Sequence, residues 1–251
     1  MEFRMEKGKF CAIIPARSGS KGIKDKNIIG LHGYPLMAYS IAAARMTARI
    51  DRIIVSTDSE EYANLAISYG AEVPFLRPSE ISGSDSKDIE YLEYTIREMG
   101  KREDKVPEYV VLLRPTTPVR DVQMILKAME EIVHRPECDS VVSVHRRKSC
   151  PYKWVIMDEK GMIRSPFPDM QLDDVNLPRQ SFPLVYEPDG YVDVLRSEVI
   201  LNKRKQYGDA AYALNLDEDI VDIDTLEDLD KINLEMLECS PLFVFLNKIK
   251  S

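Results

Sequence analysis

The apolar positions of this chain fall into short continuous runs separated by segments of helical period. The run 10–14 is apolar and stops at Pro15, and residues 17–27 are largely polar. That pattern predicts a buried strand feeding a long loop. Pro35 then opens a stretch, 36–46, with Ala, Leu, Met and Ile at helical spacing, and residues 52–56 are β-branched up to Thr57-Asp58. A helix followed by a strand is the expectation. The alternation continues with a helix over 60–69, a strand over 73–76, a helix over 87–99, a strand over 109–113, a helix over 122–134 and a strand over 140–144. Apolar strands separated by helices imply an α/β fold, with a mostly parallel sheet covered on both faces and ligands beyond the carboxyl ends of the strands.

From about residue 146 to 189 the pattern breaks at Pro151, Pro166, Pro168, Pro178, Pro183 and Pro188. Residues 153–157 followed by Lys160-Gly161 read as a hairpin, so this segment is expected to be a small β-rich insertion that covers the site or reaches a second subunit. A strand near 220–223 and a helix from Thr225 to about 237 close the chain, with Thr225 as its cap and Glu227 and Asp228 in its first turn. Residues 1–251 read as one domain carrying this insertion.

Charge narrows the function. Lys and Arg number 34 against 42 Asp and Glu, a net charge of −8. Such a chain lacks the basic field that displaces counterions from nucleic-acid phosphates, so an anion site here must concentrate its cations locally. No stretch approaches the ~20 apolar residues of a membrane span. Cys11, Cys138, Cys150 and Cys239 are scattered, without the spacing of a zinc site or a disulfide scaffold. The expectation is a cytoplasmic enzyme with reduced thiols and neither a nucleic-acid nor a membrane partner.

The local concentration of cations lies just after the first strand. Ile14-Pro15-Ala16-Arg17-Ser18-Gly19-Ser20-Lys21-Gly22 combines glycines, hydroxyls, an Arg and a Lys. Glycines let backbone N–H groups approach phosphate oxygens, and the cations offset the charge of phosphoryl transfer. The spacing is not that of the ATPase P-loop, and the GxGxxG of dinucleotide-binding dehydrogenases is missing. Taken alone, the segment reads as a phosphate-binding loop or as a solvated basic loop.

These residues resemble a known family. PARSGSKG followed by Lys26-Asn27, then Pro35-Leu36 and Ser56-Thr57-Asp58, resembles the opening of the acylneuraminate cytidylyltransferases, which include CMP-sialic acid synthetases and, more distantly, CMP-Kdo synthetases. Phe75-Leu76-Arg77-Pro78 matches the family's Arg-Pro segment. Leu113-Arg114-Pro115-Thr116-Thr117-Pro118 resembles its LQPTSPL motif, Arg179-Gln180 through Gly190 keeps the spacing of RQxxPxxYxxNG, and Val221-Asp222-Ile223-Asp224-Thr225 matches IDIDT. The motifs occur in family order along nearly the whole chain.

The resemblance implies a Rossmann-like three-layer sandwich of the nucleotide-diphospho-sugar transferase type, and a homodimer. It implies a Mg²⁺-dependent transfer of CMP from CTP to the anomeric C2 hydroxyl of a sialic-acid-like 2-keto sugar, with release of pyrophosphate. Arg17 and Lys21 would hold the phosphates, Lys21 the α-phosphate, with Ala16, Ser18, Gly19 and Ser20 lining the loop. Asn27 and Arg77 would contact the nucleoside; without the resemblance, Arg77 reads as a surface cation beside Pro78. Asp222 and Asp224, two apart on an expected strand, would face one way and offer oxygens to Mg²⁺, Asp224 being essential to turnover; without the resemblance they read equally as a polar strand end capping the following helix. Asp228 reads as serving the helix. Arg114, Lys153, Arg179, Gln180, Tyr186, Asp189 and Asp193 would form the sugar site, with Arg179 supplied to the neighbouring subunit. Trp154 reads as core or interface packing.

Three positions depart from the motifs. Arg114 replaces the Gln usual in sialic acid synthetases, Asp189 replaces Asn before Gly190, and Asp193 stands where Tyr is frequent. A cation and two carboxylates near the sugar point to a modified nonulosonate, of legionaminic or pseudaminic type, rather than plain N-acetylneuraminic acid. Two other readings stay open at this point: a related sugar nucleotidyltransferase using another nucleotide or a sugar phosphate, and a non-catalytic nucleotide-sugar binding protein.

Overall fold

Six strands form the main sheet of the structure, a computed structural model that describes residues 3–216, 220–232 and 237–250. Strand β1 (Arg4–Pro15) is followed by a small hairpin of β2 (Gly30–Leu31) and β3 (Tyr34–Pro35). In the sheet, β1 lies between β4 (Ile50–Ser56) and β5 (Lys105–Leu112), parallel to both. Beyond β5 comes β9 (Tyr186–Arg196), antiparallel to β5 and to its other neighbour β6 (Ser140–Arg146), and β10 (Ala211–Asn215) completes the edge parallel to β6. A second hairpin, β7 (Ile156–Met157) with β8 (Ile163–Arg164), stands apart in the insertion.

Alternation along β1 sorts two cores, because successive side chains of a strand point to opposite faces. Phe10, Ala12 and Ile14 pack with α1 (Leu36–Met46) and α4 (Val122–His134), whereas Cys11 and Ile13 pack with Tyr91, Leu92, Ile96 and Met99 of α3 (Asp88–Glu103). Every residue of α1 from Leu36 to Ala44 is buried, so this helix is apolar all round and needs cover on both sides. The last helix, α6 (Pro241–Lys250), provides the outer cover: Tyr34 Oη donates to Asn247 Oδ1 at 2.6 Å, and Arg45 lies over the Phe245 ring. The short helix α2 (Glu60–Ser68) is capped by Ser59 Oγ, which accepts from the Tyr62 N–H.

The predicted α/β sandwich is present, with local departures. No strand forms over 73–76; only Glu72 bridges to Ile54. Pro74 has no N–H to give a ladder, and the chain turns so that the Arg77 N–H donates to the Thr57 carbonyl. The expected strand over 220–223 is also irregular, anchored by the Ile223 N–H on the Thr116 carbonyl. The closing helix α5 is short (Leu226–Asp230), and part of its expected continuation, residues 233–236, lies outside the described residues. Strands β9 and β10 have no counterpart in the sequence reading.

Within the insertion Tyr152 stacks on Phe167 and Phe182, with centroids 4.8 and 5.4 Å away. Trp154, Met157, Met162 and Ile163 are exposed, so Trp154 does not pack in the core of this chain.

Candidate active site

The segments that follow the carboxyl ends of β1 and β5 open onto a cavity of about 350 Å³. Arg17, Lys21, Lys26, Arg77 and Arg114 line it together with Asp88. In an acidic protein this is the local cation excess that an anionic ligand requires.

The loop after β1 is held open by polar side chains. Ser18 donates through both its N–H and its hydroxyl to Asp58, at 2.7 and 2.8 Å, and Asn27 Nδ2 holds the Arg17 carbonyl at 2.9 Å. Gly19 sits at φ +65°, a left-handed conformation natural to glycine. Arg17 Nη1 folds back on the Ser18 and Gly19 carbonyls. Ala16 is fully buried and acts as spacer, while Ser20, Lys21 and Asn27 line the cavity. Ser18 therefore enters the site as the residue that fixes the turn to Asp58, not as a free donor.

Arg77 is only 5% exposed, against its reading as a surface cation. Its Nε and Nη2 donate to Ser56 Oγ and the Ser56 carbonyl at 3.1 and 2.7 Å, and its guanidinium lies 4.4 Å over the Tyr91 ring. Burial pulls this guanidinium below its usual pKa. A desolvated cation without a carboxylate on its hydrogen bonds attracts a ligand anion or carbonyl strongly.

From the far end of the sequence, Asp224 meets the edge of this cavity through Lys26. Lys26 Nζ donates to Asp224 Oδ1 at 2.9 Å and to the Ile223 carbonyl at 3.0 Å, and a Cβ on Gly22 would lie 3.2 Å from the Asp224 carbonyl. Both Asp222 and Asp224 line a second cavity of about 470 Å³ with His145, Asp189 and Asp228. They share this cavity although they do not lie on a strand, so alternation is not what aligns them. Burial, and then the neighbouring Asp224, raises the Asp222 carboxyl above its ordinary value. Among the described residues no three His, Cys, Asp or Glu form a full metal cage. Two carboxylates are nonetheless the protein share that Mg²⁺ takes beside substrate phosphates. Asp228 serves the helix as read: its Oδ2 accepts from the Asp224 and Thr225 N–H groups and from Thr225 Oγ1.

The proposed sugar residues do not converge in one chain. Arg114 lines the first cavity, donating to Asp193 Oδ2 at 2.9 Å and to Asp88 Oδ2 at 2.7 Å. Two of the motif departures, Arg114 and Asp193, are thus one ion pair, and Asp193, 1% exposed, is an internal partner rather than a sugar contact. Asp189 Oδ1 accepts from Ser143 Oγ and the Tyr191 N–H, while its Oδ2 is buried without a hydrogen bond, 3.8 Å from His145 Nδ1. Arg179 and Gln180 line a separate cavity beside Arg146 and Arg147, and Tyr186 lines another with Trp154. Lys153 Nζ donates to the Val175 carbonyl inside the insertion.

Sequence reasoning missed Asp58, Asp88 and Arg120. Arg120 is 2% exposed and binds the Tyr191 and Arg114 carbonyls and the hydroxyls of Ser40 and Thr117, clamping the 114–117 turn against β9 and α1. Burial lowers its pKa to about 10. Ser56-Thr57-Asp58 was visible as a motif, but nothing in it named the Ser18 contact.

Residues 11–229 match the cytidylyltransferase family. A CMP-N,N'-diacetyllegionaminic acid synthase of Legionella pneumophila is 31% identical over 239 residues, which cover 91% of this chain and 99% of that protein. An N-acylneuraminate cytidylyltransferase of Escherichia coli O18:K1:H7 is 32% identical over 223 residues, 88% of this chain and 51% of the relative, so this chain spans about half of its length. Among solved structures, a CMP:2-keto-3-deoxy-manno-octonic acid synthetase complexed with CTP has the same fold, with a TM-score of 0.67 at 14% identity over 92% of this chain and 99% of that one. The cation-lined strand ends and the aspartate pair both fall within the matched span, and the chain belongs to the cytidylyltransferase family.

Proposed function

We propose that this enzyme transfers CMP from CTP to the anomeric C2 hydroxyl of a nonulosonic acid, releasing pyrophosphate. The observation that carries the reading is the meeting of residues 17–26 with residues 222–224, where Lys26 holds Asp224 and Gly22 lies against the Asp224 backbone. Cations suited to a triphosphate and carboxylates suited to a divalent ion thereby stand side by side. The match to a diacetyllegionaminic acid synthase along nearly its full length supports a diacylamino nonulosonate as acceptor.

CTP would lie along the loop after β1, with Arg17 and Lys21 on its phosphates, Lys21 at the α-phosphate, and backbone N–H groups of Gly19 and Ser20 beside them. Asn27 and Arg77 would meet the nucleoside. The acceptor C2 oxygen attacks the α-phosphorus in line; its new P–O bond forms as the bond to the bridging oxygen breaks, pyrophosphate departs with that bond's electron pair and the hydroxyl proton passes to solvent. Positioning and charge stabilisation by Arg17 and Lys21 are the main contributions, as in other phosphoryl transfers. Asp222 and Asp224 would hold Mg²⁺, which when bound offsets the charge of the leaving pyrophosphate.

We assign the enzyme to the cytoplasm as a homodimer. The exposed Trp154, Met157, Met162 and Ile163 supply an apolar face, and Lys153, Arg179, Gln180 and Tyr186 can serve a sugar only if the insertion reaches a second copy's site. Free cysteines fit a reducing compartment, and no described helix is long and apolar enough to cross a membrane. The deciding experiment is a pyrophosphate-release screen of CTP, UTP, GTP and ATP against a panel of 2-keto sugar acids with Mg²⁺. Release with CTP and a nonulosonate alone is the expected result; release only with another nucleotide or a sugar phosphate would replace the reading.

A further inference from the structure

Arg114 follows β5, and its guanidinium is divided between two carboxylates, Asp88 in the cavity lining and Asp193 buried behind it. Asp88 opens α3 on the side of Arg77 and Tyr91, whereas Asp193 is set inside β9. The arm of Arg114 passes beside Gly190, where a Cβ would lie 3.5 Å from its Cδ. One Nη1–H goes to Asp193 and one Nη2–H to Asp88, and the Tyr207 hydroxyl also contacts the guanidinium, yet a guanidinium carries five N–H donors and no acceptor. Donors are therefore left over on a side chain that lines the cavity.

We propose that Asp193 and Arg114 form one specificity device for the acceptor: Asp193 is a positioning residue that fixes the Arg114 fork, and the free N–H groups of Arg114 select a sugar presenting an acylamino carbonyl oxygen over its free-amine counterpart. The inference rests on the cytidylyltransferase reading above. A donor-only cation bonds a carbonyl and repels an ammonium, whereas a neutral amide at position 114 could meet either a donor or an acceptor. A planar fork is also aimed by its ion pair in a way that a lone flexible cation is not. Asp193 acts only through Arg114, because its own side chain is 1% exposed. Its Oδ1 has no hydrogen bond, and among the described residues its one other donor is Gln206 Nε2, 3.4 Å from Oδ2. Loss of Arg114 alone would strand a buried carboxylate, so the informative variant neutralises both residues.

That variant is R114Q/D193N in the full chain, read by pyrophosphate release with CTP and Mg²⁺, an N-acylated nonulosonate and its de-N-acylated amine, alongside thermal unfolding. The wild type is expected to prefer the acylated acceptor. The variant is expected to melt within ~5 °C of it. Its KM for CTP should stay within about twofold, while its KM for the acylated acceptor rises about tenfold or more and the preference over the amine collapses. A folded variant with unchanged acceptor KM and preference would overturn the proposal, since restored stability would then be all the pair provides. An equal rise in the KM for CTP would also overturn it, placing Arg114 on the nucleotide. Should R114Q/D193N not fold, D193E keeps the charge pair but displaces the fork by a methylene, and the same ratio decides. Failure of the wild type with every acceptor would instead refute the parent reading and take the pair with it.

Discussion

Asp224 is tied to Lys26, yet its side chain is 72% exposed, so the contact holding it contributes little to folding. Exposed ion pairs are worth ~0–1 kcal/mol. Asp224→Asn should accordingly leave the melting temperature nearly unchanged while cutting pyrophosphate release at least about 100-fold, a loss typical of a removed transition-state interaction; an active variant would remove the metal role. Asp228 answers to pH in a defined direction. The Lys231 ammonium, then the Thr225 and Asp224 N–H groups, hold its carboxyl well below the ordinary value. A depressed acid stabilises the fold above its unfolded pKa and loses that contribution as pH falls through the folded one. Asp228→Asn should therefore lower the melting temperature at pH 7 and lose less on acidification than the wild type, as pH-dependent thermal scans would reveal. At this scale the sequence was readable where a residue's role is local. Asp228 as a helix cap follows from its place three residues after Thr225, whereas the burial of Arg77 depends on Ser56 and Tyr91 packing around it from elsewhere in the chain.

Helix α2 shows how an element is bounded by its ends. Ser59 caps its start, and Gly70, at φ +91°, ends it with its N–H on the Ile67 carbonyl. Ser59→Ala should cost about 1 kcal/mol in denaturant unfolding. Gly70→Ala should cost at least as much, because its Cβ would combine a left-handed backbone with a 2.9 Å approach to Arg45 Nη1. Elements with an unbroken pattern, such as α1 and α4, were legible because one period runs through each, whereas β5 was legible only in its apolar half beyond Pro107. Strand β9 was not. Pro188, Asp189 and Gly190 interrupt it, and its buried Asp189 and Asp193 are tolerated because Ser143 and Arg114 meet them across the sheet. The reverse error at 73–76 came from Val73 and Phe75, whose strand character cannot overcome the intervening Pro74.

For the whole molecule, the proposed dimer gives the segment from about 146 to 189 its purpose. Its hairpin leaves Met157 and Met162 each 69% exposed, far more than packing within this chain would leave. Met157→Asp combined with Met162→Asp should shift the dimer to monomer in light scattering and lower acceptor turnover without altering the melting of the isolated chain; a dimer that persists would move the interface elsewhere. The sequence indicated an insertion from its prolines, but apolar side chains such as these read equally well as core until the fold shows them uncovered.

Strand β9 also sets a schedule. It alone joins β5 to β6 among the described pairings, while β1, β4 and β5 are complete before residue 113. During synthesis the first half-sheet can close early, but β6 must wait, edge-on and apolar, until the whole insertion has left the ribosome. Premature termination anywhere between residues 146 and 186 would release a chain with that seam unfilled, a species prone to clump rather than to work at reduced speed. Asp193, the buried partner that aims Arg114, is consequently added only after every residue lining the Arg114 pocket has been made.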